Sequence, residues 1–101
     1  MLALALVGLA SCRMNDIRSK TIRIPQVRSA AARQVVRAAL VRTDGVLTNG
    51  LVFGEGTVTV PYDSMKLALK NLEQVIADSG FDANNTPADS KARDALAPEC
   101  R

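Results

Sequence analysis

The sequence predicts an α+β domain in which two helices pack on one face of a small antiparallel sheet. Segments with alternating apolar residues, which are typical of strands, are interspersed with segments whose apolar residues recur at helical spacing. Their order is strand, helix, strand, strand, helix and short strand, which is that of the ferredoxin-like βαββαβ sandwich. We place this domain at residues 21–84, where an aliphatic core can stabilise it.

The first strand and the first helix are predicted in the N-terminal part of this domain. Residues 21–27 alternate and contain Pro25, which lacks an amide hydrogen and therefore favours a strand near a sheet edge. Ser29 is a good N-cap for a helix over Ala30–Val41. The turn residues at 43–45 are expected to end that helix.

A β-hairpin is predicted next. Residues 46–53 and 57–62 are rich in β-forming residues, and Gly54-Glu55-Gly56 separates them as a turn. Asn49-Gly50 is a competing turn signal. We interpret it as a bulge, because the alternating segment 57–60 needs a partner longer than three residues.

A second helix is predicted after the hairpin, capped by Asp63-Ser64 and ended by Gly80 in a left-handed conformation. The expected apolar face consists of Met65, Leu69, Leu72 and Ile76, and the expected exposed residues are Lys66, Lys70, Glu73 and Gln74. Residues 81–83 begin a last, short strand. Residues 85–101 are expected to form a tail with a brief surface helix over 88–96 and a frayed end.

Composition excludes several classes of function. The 101 residues are 48% apolar and 23% charged, which is typical of a globular protein and argues against a disordered chain. Aromatic residues make up only 3%, so stacking of nucleic-acid bases is not expected. The sequence has no His, no nucleophile beside a base and no phosphate-cradling glycine loop. We therefore expect that the protein is not an enzyme.

The basic residues are concentrated in the N-terminal half of the chain. Residues 13–42 contain eight Lys and Arg and one acid, whereas residues 43–101 contain five Lys and Arg and nine acids. Such asymmetry is usual for solvated faces of ordinary elements, and it is also typical of proteins that bind anionic partners.

The first residues resemble an export signal. Residues 2–9 form an apolar run that is much shorter than the roughly 20 residues needed to span a bilayer. Leu9-Ala10-Ser11-Cys12 resembles a bacterial lipobox, which implies cleavage before Cys12 and a diacylglycerol on its thiol. We expect a signal at 1–11, a linker at 12–20 and a membrane-anchored lipoprotein on the periplasmic side. Because no Lys or Arg precedes the run, a buried N-terminal element in a cytoplasmic protein is the alternative.

Several segments together resemble the heavy-metal-associated domain. They are Thr21-Ile22-Arg23-Ile24-Pro25, Gly56-Thr57-Val58-Thr59-Val60-Pro61-Tyr62-Asp63 and Ile76-Ala77-Asp78-Ser79-Gly80-Phe81-Asp82-Ala83. This family includes small copper chaperones, a periplasmic mercury-binding protein and the N-terminal domains of metal-transporting ATPases. The resemblance covers about two thirds of the chain and implies the ferredoxin-like fold.

The resemblance also identifies the loop where the family binds metal. In the family this loop reads Met-x-Cys-x-x-Cys, and its two thiolates hold Cu(I) or Hg(II). Here Val27 stands at the Met position, while Ser29 and Ala32 stand at the two Cys positions, with Arg28 between the first two. We therefore expect a lost metal site and no cofactor, with Cu(I) or Hg(II) as the ion if the family activity survives. The expected role is that of an accessory module that docks a partner, such as another metal-handling protein.

Two alternative sites remain open from the sequence. Arg28, Ser29 and Arg33 lie near the positive end of the first helix and form a candidate anion site, which would suit a basic adaptor for anionic lipids or polyanions. Cys100 is a candidate metal ligand if Met14, Met65, a carboxylate or a second molecule supplies further ligands; otherwise it is a disulfide partner of Cys12 or an idle tail residue. Met65 is interpreted as a core residue rather than as a ligand. Phe81 resembles the aromatic residue beside the metal loop of the family, and burial against the first helix explains it equally well.

Overall fold

The structure is a computed structural model that describes residues 16–100. Its strands and helices are β1 (Ile17–Arg23), α1 (Ala30–Val41), β2 (Val52–Gly54), β3 (Thr57–Asp63), α2 (Leu69–Asp78) and α3 (Ser90–Ala95), with 3-10 turns at Thr48–Gly50 and Pro98–Cys100. The expected signal, the lipobox and the lipidation of Cys12 lie outside the described residues. Within residues 16–100, no helix has the length and apolar character needed to cross a bilayer.

The three strands form an antiparallel sheet with β3 in the centre, in the order β1-β3-β2. β1 pairs with β3 along its whole length, from Ile17 opposite Asp63 to Arg23 opposite Thr57. One sheet face, both long helices and the C-terminal turn share a single core, whose fully buried larger members are Phe81, Ile22, Ile24, Leu40, Leu72, Ile76, Val36, Val58 and Val60. The predicted α+β class and the ferredoxin-like arrangement are confirmed.

Helix α1 has the predicted bounds, but the predicted bounds of the first strand were wrong. β1 runs over Ile17–Arg23, so residues 17–20 belong to the sheet rather than to a linker. All four are exposed, and their position is fixed by pairing with β3 rather than by burial. The strand ends before Pro25, where Val27 N donates to Ile24 O at 3.0 Å and closes a turn.

The predicted last strand at residues 81–83 does not form. Asn84 instead makes a two-way contact with the end of β1: its N–H donates to Arg23 O at 2.9 Å, and its Oδ1 accepts from Arg23 N at 2.9 Å. Because the side chain occupies the place of a strand carbonyl and Asn84 has φ +52°, the chain turns away after one residue. In place of a fourth strand, only Asn84 is hydrogen-bonded to this edge of β1.

The segment predicted as a strand over 46–53 is mostly irregular. Val46 forms an isolated bridge to Tyr62, Leu47 N donates to Pro61 O at 2.9 Å, and the expected bulge is a 3-10 turn. Pro61 has no N–H to offer this edge of β3, so continuous pairing is interrupted there. Regular pairing resumes only at β2, and the predicted turn around Gly56 (φ +69°) is confirmed.

Helix α2 begins at Leu69, five residues after the end of the predicted Asp63-Ser64 cap. Asp63 Oδ1 accepts from Met65 N at 3.0 Å and from Asp16 N at 3.1 Å, so this carboxylate organises a turn before the helix. Met65 is 64% exposed, which makes its assignment to the core wrong. Glu73 is buried, contrary to the expectation of an exposed position. The predicted end is confirmed by Gly80, whose φ is +106°.

The turn before α2 predicts a measurable pH effect. Asp16 accepts from Ser64 Oγ at 2.7 Å and from Arg18 Nε at 3.0 Å, and these bonds hold the pKa of Asp16 below its ordinary value of 3.8. Because the pKa of Asp16 is lower in the folded than in the unfolded protein, its ionised form stabilises the fold when the pH is above the unfolded-state pKa. This contribution is lost as the pH falls through the folded-state pKa. We expect Ser64→Ala to raise the pKa of Asp16, as measured by carboxyl NMR titration, and to shift acid unfolding to higher pH. An unchanged Asp16 pKa in Ser64→Ala would contradict this.

Candidate functional site

The loop between β1 and α1 is fixed at both of its ends. Ile24 and Val27 are buried in the core, and Ile24 N donates to Gly56 O of the hairpin at 2.7 Å. Ser29 has extended backbone angles and its Oγ accepts from Ala32 N at 3.1 Å, which confirms the predicted N-cap. The loop is therefore an ordered entry to a capped helix.

The chemistry of this loop does not suit a soft metal ion. The Ser29 hydroxyl accepts from Ala32 N and also donates to Glu99 O at 2.8 Å, so its one hydrogen and one of its two lone pairs are already used. Ala32 is 1% exposed and presents only a methyl group, and Val27 is likewise buried. Across residues 16–100, no three His, Cys, Asp or Glu side chains come together in a metal-holding group. The residues present therefore do not fit Cu(I) or Hg(II).

The C-terminal segment packs against this loop, so the expectation of a frayed tail was wrong. Helix α3 confirms the predicted surface helix, and its Arg93 Nη1 donates to Gly80 O at 3.0 Å while the guanidinium lies 5.9 Å from the centre of the Phe81 ring. The following 3-10 turn brings Glu99 to Ser29 and buries Cys100 at 6% exposure. The loop and the turn border a small, open pocket of about 270 Å³ lined by Gln26, Arg28, Ser29, Arg93, Glu99 and Cys100.

Cys100 belongs to the hydrophobic core rather than to a cluster of ligands. Its thiol packs with the buried residues of the sheet and helices and forms no disulfide within residues 16–100. The expected alternatives of a metal site or a disulfide with Cys12 remain predictions, since Cys12 lies outside the described residues. The burial of Cys100 was not visible in the sequence, because it depends on a contact with a loop about 70 residues away.

A larger, open groove of about 1380 Å³ lies beside the loop. We call it the basic groove, and it is lined by Arg23, Pro25, Val27, Arg28, Arg33, Phe53, Gly54, Glu55, Gly56, Thr57, Asn84 and Asn85. Of the three residues predicted to form an anion site, Arg28 and Arg33 share this groove, but Ser29 does not line it. The structure adds Arg23, which was not predicted, from the end of β1.

A buried carboxylate, that of Glu73, fixes one wall of the basic groove through hydrogen bonds. The sequence predicted an exposed position for this residue. Glu73 of α2 accepts from Asn84 Nδ2 at 2.7 Å and from Thr86 Oγ1 at 3.2 Å. Asn84 in turn makes the two hydrogen bonds to Arg23 at the end of β1. The run Asn84-Asn85-Thr86-Pro87 predicts a turn, but nothing local to it indicates its partner on α2.

Removing the Glu73 carboxylate should destabilise the folded protein. We expect Glu73→Ala to lower the free energy of unfolding by about 1–3 kcal/mol, because the amide of Asn84 loses a charged acceptor. Urea unfolding measures this loss, and Glu55→Ala, at the exposed tip of the hairpin, is the control expected to change stability by less than about 0.5 kcal/mol. Equal stability of the two variants would contradict the role assigned to Glu73.

Comparisons with known proteins bear on the identity of the fold. No family model and no curated protein sequence matches the chain. Its structure is similar to that of oxidized MerP from Ralstonia metallidurans CH34, with 20% sequence identity, a TM-score of 0.62, and coverage of 68% of this chain and 96% of MerP. It is also similar to a candidate copper-ion-binding protein from Bacillus anthracis str. Ames, with 25% identity, a TM-score of 0.63, and coverage of 69% and 99%. The fold is that of a heavy-metal-associated domain.

A third structure shares the same heavy-metal-associated fold. The CopZ metallochaperone is 25% identical, with a TM-score of 0.59 and coverage of 65% of this chain and 98% of CopZ. All three neighbours are thus matched over nearly their whole length, while about a third of this chain has no counterpart in them. The predicted resemblance is confirmed at the level of the heavy-metal-associated fold.

Proposed function

We propose that this chain is an accessory module of a metal-handling system that docks a partner and does not itself carry the metal. The observation that supports the proposal concerns Ser29, which stands at the position of the family's first Cys. Its hydroxyl caps α1 and donates a hydrogen bond to Glu99 O. The heavy-metal-associated fold supports the link to metal handling, and the neighbours include a metallochaperone.

The electrostatics of the loop support the same proposal. Arg28 is exposed in the loop and Arg33 is exposed in the first turn of α1, so both add positive charge at the positive end of the helix dipole. This charge disfavours a cation at the loop. A carrier also needs exposed thiolates that can exchange the ion with a partner, and the only thiol within residues 16–100 is buried.

A competition titration tests the loss of the metal site. The full chain is titrated with Cu(I) in the presence of a Cu(I) chelator, alongside Cys12→Ser and Cys100→Ser. We expect the chelator to retain the copper in every case. One equivalent bound to the wild type and lost in Cys100→Ser would contradict the proposal and support a metal site that recruits Cys100.

The docking part is tested separately by NMR. The expected partner is another metal-handling protein, so the probe is a Cu(I)-loaded heavy-metal-associated domain with an intact Cys pair. We expect saturable chemical-shift changes in this chain without transfer of copper to it. Copper transfer to this chain, or the absence of any shift change at millimolar partner, would contradict the docking role.

Localisation is part of the proposal. We infer that the protein is exported and anchored on the periplasmic side through a lipid on Cys12, and the supporting observation is the short apolar run that ends in Leu9-Ala10-Ser11-Cys12. In a bacterial host, mass spectrometry of the mature protein should find a diacylglycerol-modified N-terminus at Cys12, and Cys12→Ala should abolish it. An intact Met1 on the mature protein would contradict this inference.

A further inference from the structure

We propose that the basic groove binds a soluble anion that carries two or more phosphate groups. The groove shares Val27 and Arg28 with the metal-loop segment, but Ser29 and Ala32, at the positions of the family's two sulfurs, do not line it. Its charge comes from Arg23, Arg28 and Arg33. The inference is therefore independent of the metal chemistry of the loop and goes beyond the docking role.

The arginines of the groove form no ion pair with an acidic side chain among the described residues, although Arg28 Nε donates to Pro25 O at 3.4 Å. Within residues 16–100 the ion pairs are Arg18–Asp16, Lys66–Asp44 and Lys70–Glu73, and none of them involves an arginine of the groove. Glu55 is the only acid in the lining, and it lies exposed at the tip of the hairpin. Three arginines that line one groove with a single exposed carboxylate give it a net positive charge, which attracts an anion into it.

A fourth guanidinium adds to this field. Arg37 of α1 lies with its Cζ 5.3 Å from the centre of the Phe53 ring, and Phe53 lines the groove. The contact holds the charge next to the groove without neutralising it, since a ring face attracts a cation through its quadrupole. The charge therefore extends from the end of β1 to the second turn of α1.

Hydrogen bonds connect the segments that form the walls of the groove. Ile24 N donates to Gly56 O at 2.7 Å, which joins the loop to the hairpin. The two hydrogen bonds between Arg23 and Asn84 join β1 to the opposite wall. Preorganisation of this kind reduces the entropy that binding must overcome.

The shape and chemistry of the groove indicate the class of ligand. A guanidinium presents a planar fork of donors that matches two phosphate oxygens at once. A groove of about 1380 Å³ is far larger than a single phosphate, and its arginines come from three different positions along the wall. An anion with several linked phosphates can satisfy more than one of these forks. The same chemistry occurs in anionic lipid headgroups, but a concave site favours a free anion over a flat bilayer surface.

Isothermal titration calorimetry of the full chain with sodium tripolyphosphate tests the proposal. We expect saturable binding that weakens with added salt, and a loss of about tenfold in affinity for each of Arg23→Ala, Arg28→Ala and Arg33→Ala, since each removes one charge-assisted contact. Glu55→Gln should tighten binding, because it removes the one negative charge of the lining. Arg42→Ala, which removes an exposed arginine from the far end of α1, is the matched control and should leave the affinity unchanged.

Several results would overturn the proposal. The absence of saturable tripolyphosphate binding would do so, as would an equal loss for Arg42→Ala and the groove variants. Binding to vesicles with 30% phosphatidylglycerol in the absence of tripolyphosphate binding would assign the arginines to a membrane surface instead. A circular dichroism melt of each variant identifies the folded ones, and Glu55→Gln provides a gain of affinity that a folding defect cannot imitate.

Discussion

Replacing Ser29 and Ala32 together by Cys should give the chain the ability to hold one Cu(I) ion against a chelator that strips the wild type. The side chain of residue 29 already points towards residue 32, as the 3.1 Å bond from Ala32 N to Ser29 Oγ shows. Two sulfurs at this spacing suit a soft ion, and the N-terminus of α1 favours the thiolate form. The substitution also removes the hydrogen bond to Glu99 O that holds the C-terminal turn on the loop.

The controls for this gain of binding are the single variants. Ser29→Cys or Ala32→Cys alone supplies one sulfur and should not retain copper against the same chelator. Copper retained by either single variant as strongly as by the double variant would mean that the two positions do not converge. If the double variant gains nothing, the loop lacks the geometry that the heavy-metal-associated fold assigns to it.

Truncating Phe81 should have the largest effect on stability. Its ring is fully buried between the sheet and the helices, and Arg93 of α3 covers its outer side. We expect Phe81→Ala to lower the free energy of unfolding by about 3–5 kcal/mol, because the cavity adds to the lost transfer free energy. This is a large share of the roughly 5–15 kcal/mol that stabilises a typical protein.

Urea unfolding followed by circular dichroism measures this loss. Phe53→Ala is the matched control, because Phe53 is only partly buried and should cost clearly less. A loss for Phe81→Ala no greater than that for Phe53→Ala would contradict the central position of Phe81 in the core.

The elements that were predicted well depend on local signals. The bounds of α1 follow from a helical apolar pattern and from the Ser29 cap, and the end of α2 follows from Gly80. The Ser29 cap also places the end of the loop before α1, although residues 24–27, which were predicted as strand, form a turn. Signals local to each element were therefore sufficient to predict the fold class and the position of the candidate site.

The elements that were missed depend on distant partners. Residues 17–20 are exposed and show no apolar alternation, yet they are held in the sheet by pairing with β3. Asp63 does not cap α2, because its carboxylate accepts from the backbone of Asp16, 47 residues away. The burial of Cys100 and the link from Glu73 to Asn84 are likewise made across the fold. Such contacts leave no pattern in the neighbouring sequence.

Ser29 and the C-terminal turn close the metal-loop position of this fold. The reaction rate of the Cys100 thiol tests this closure most directly, since this thiol is 6% exposed in the closed arrangement. In Cys12→Ser, a thiol reagent should label the native protein at least about 100-fold more slowly than the protein in denaturant, because labelling requires the turn to open. Equal labelling rates in the native and denatured states would contradict the account.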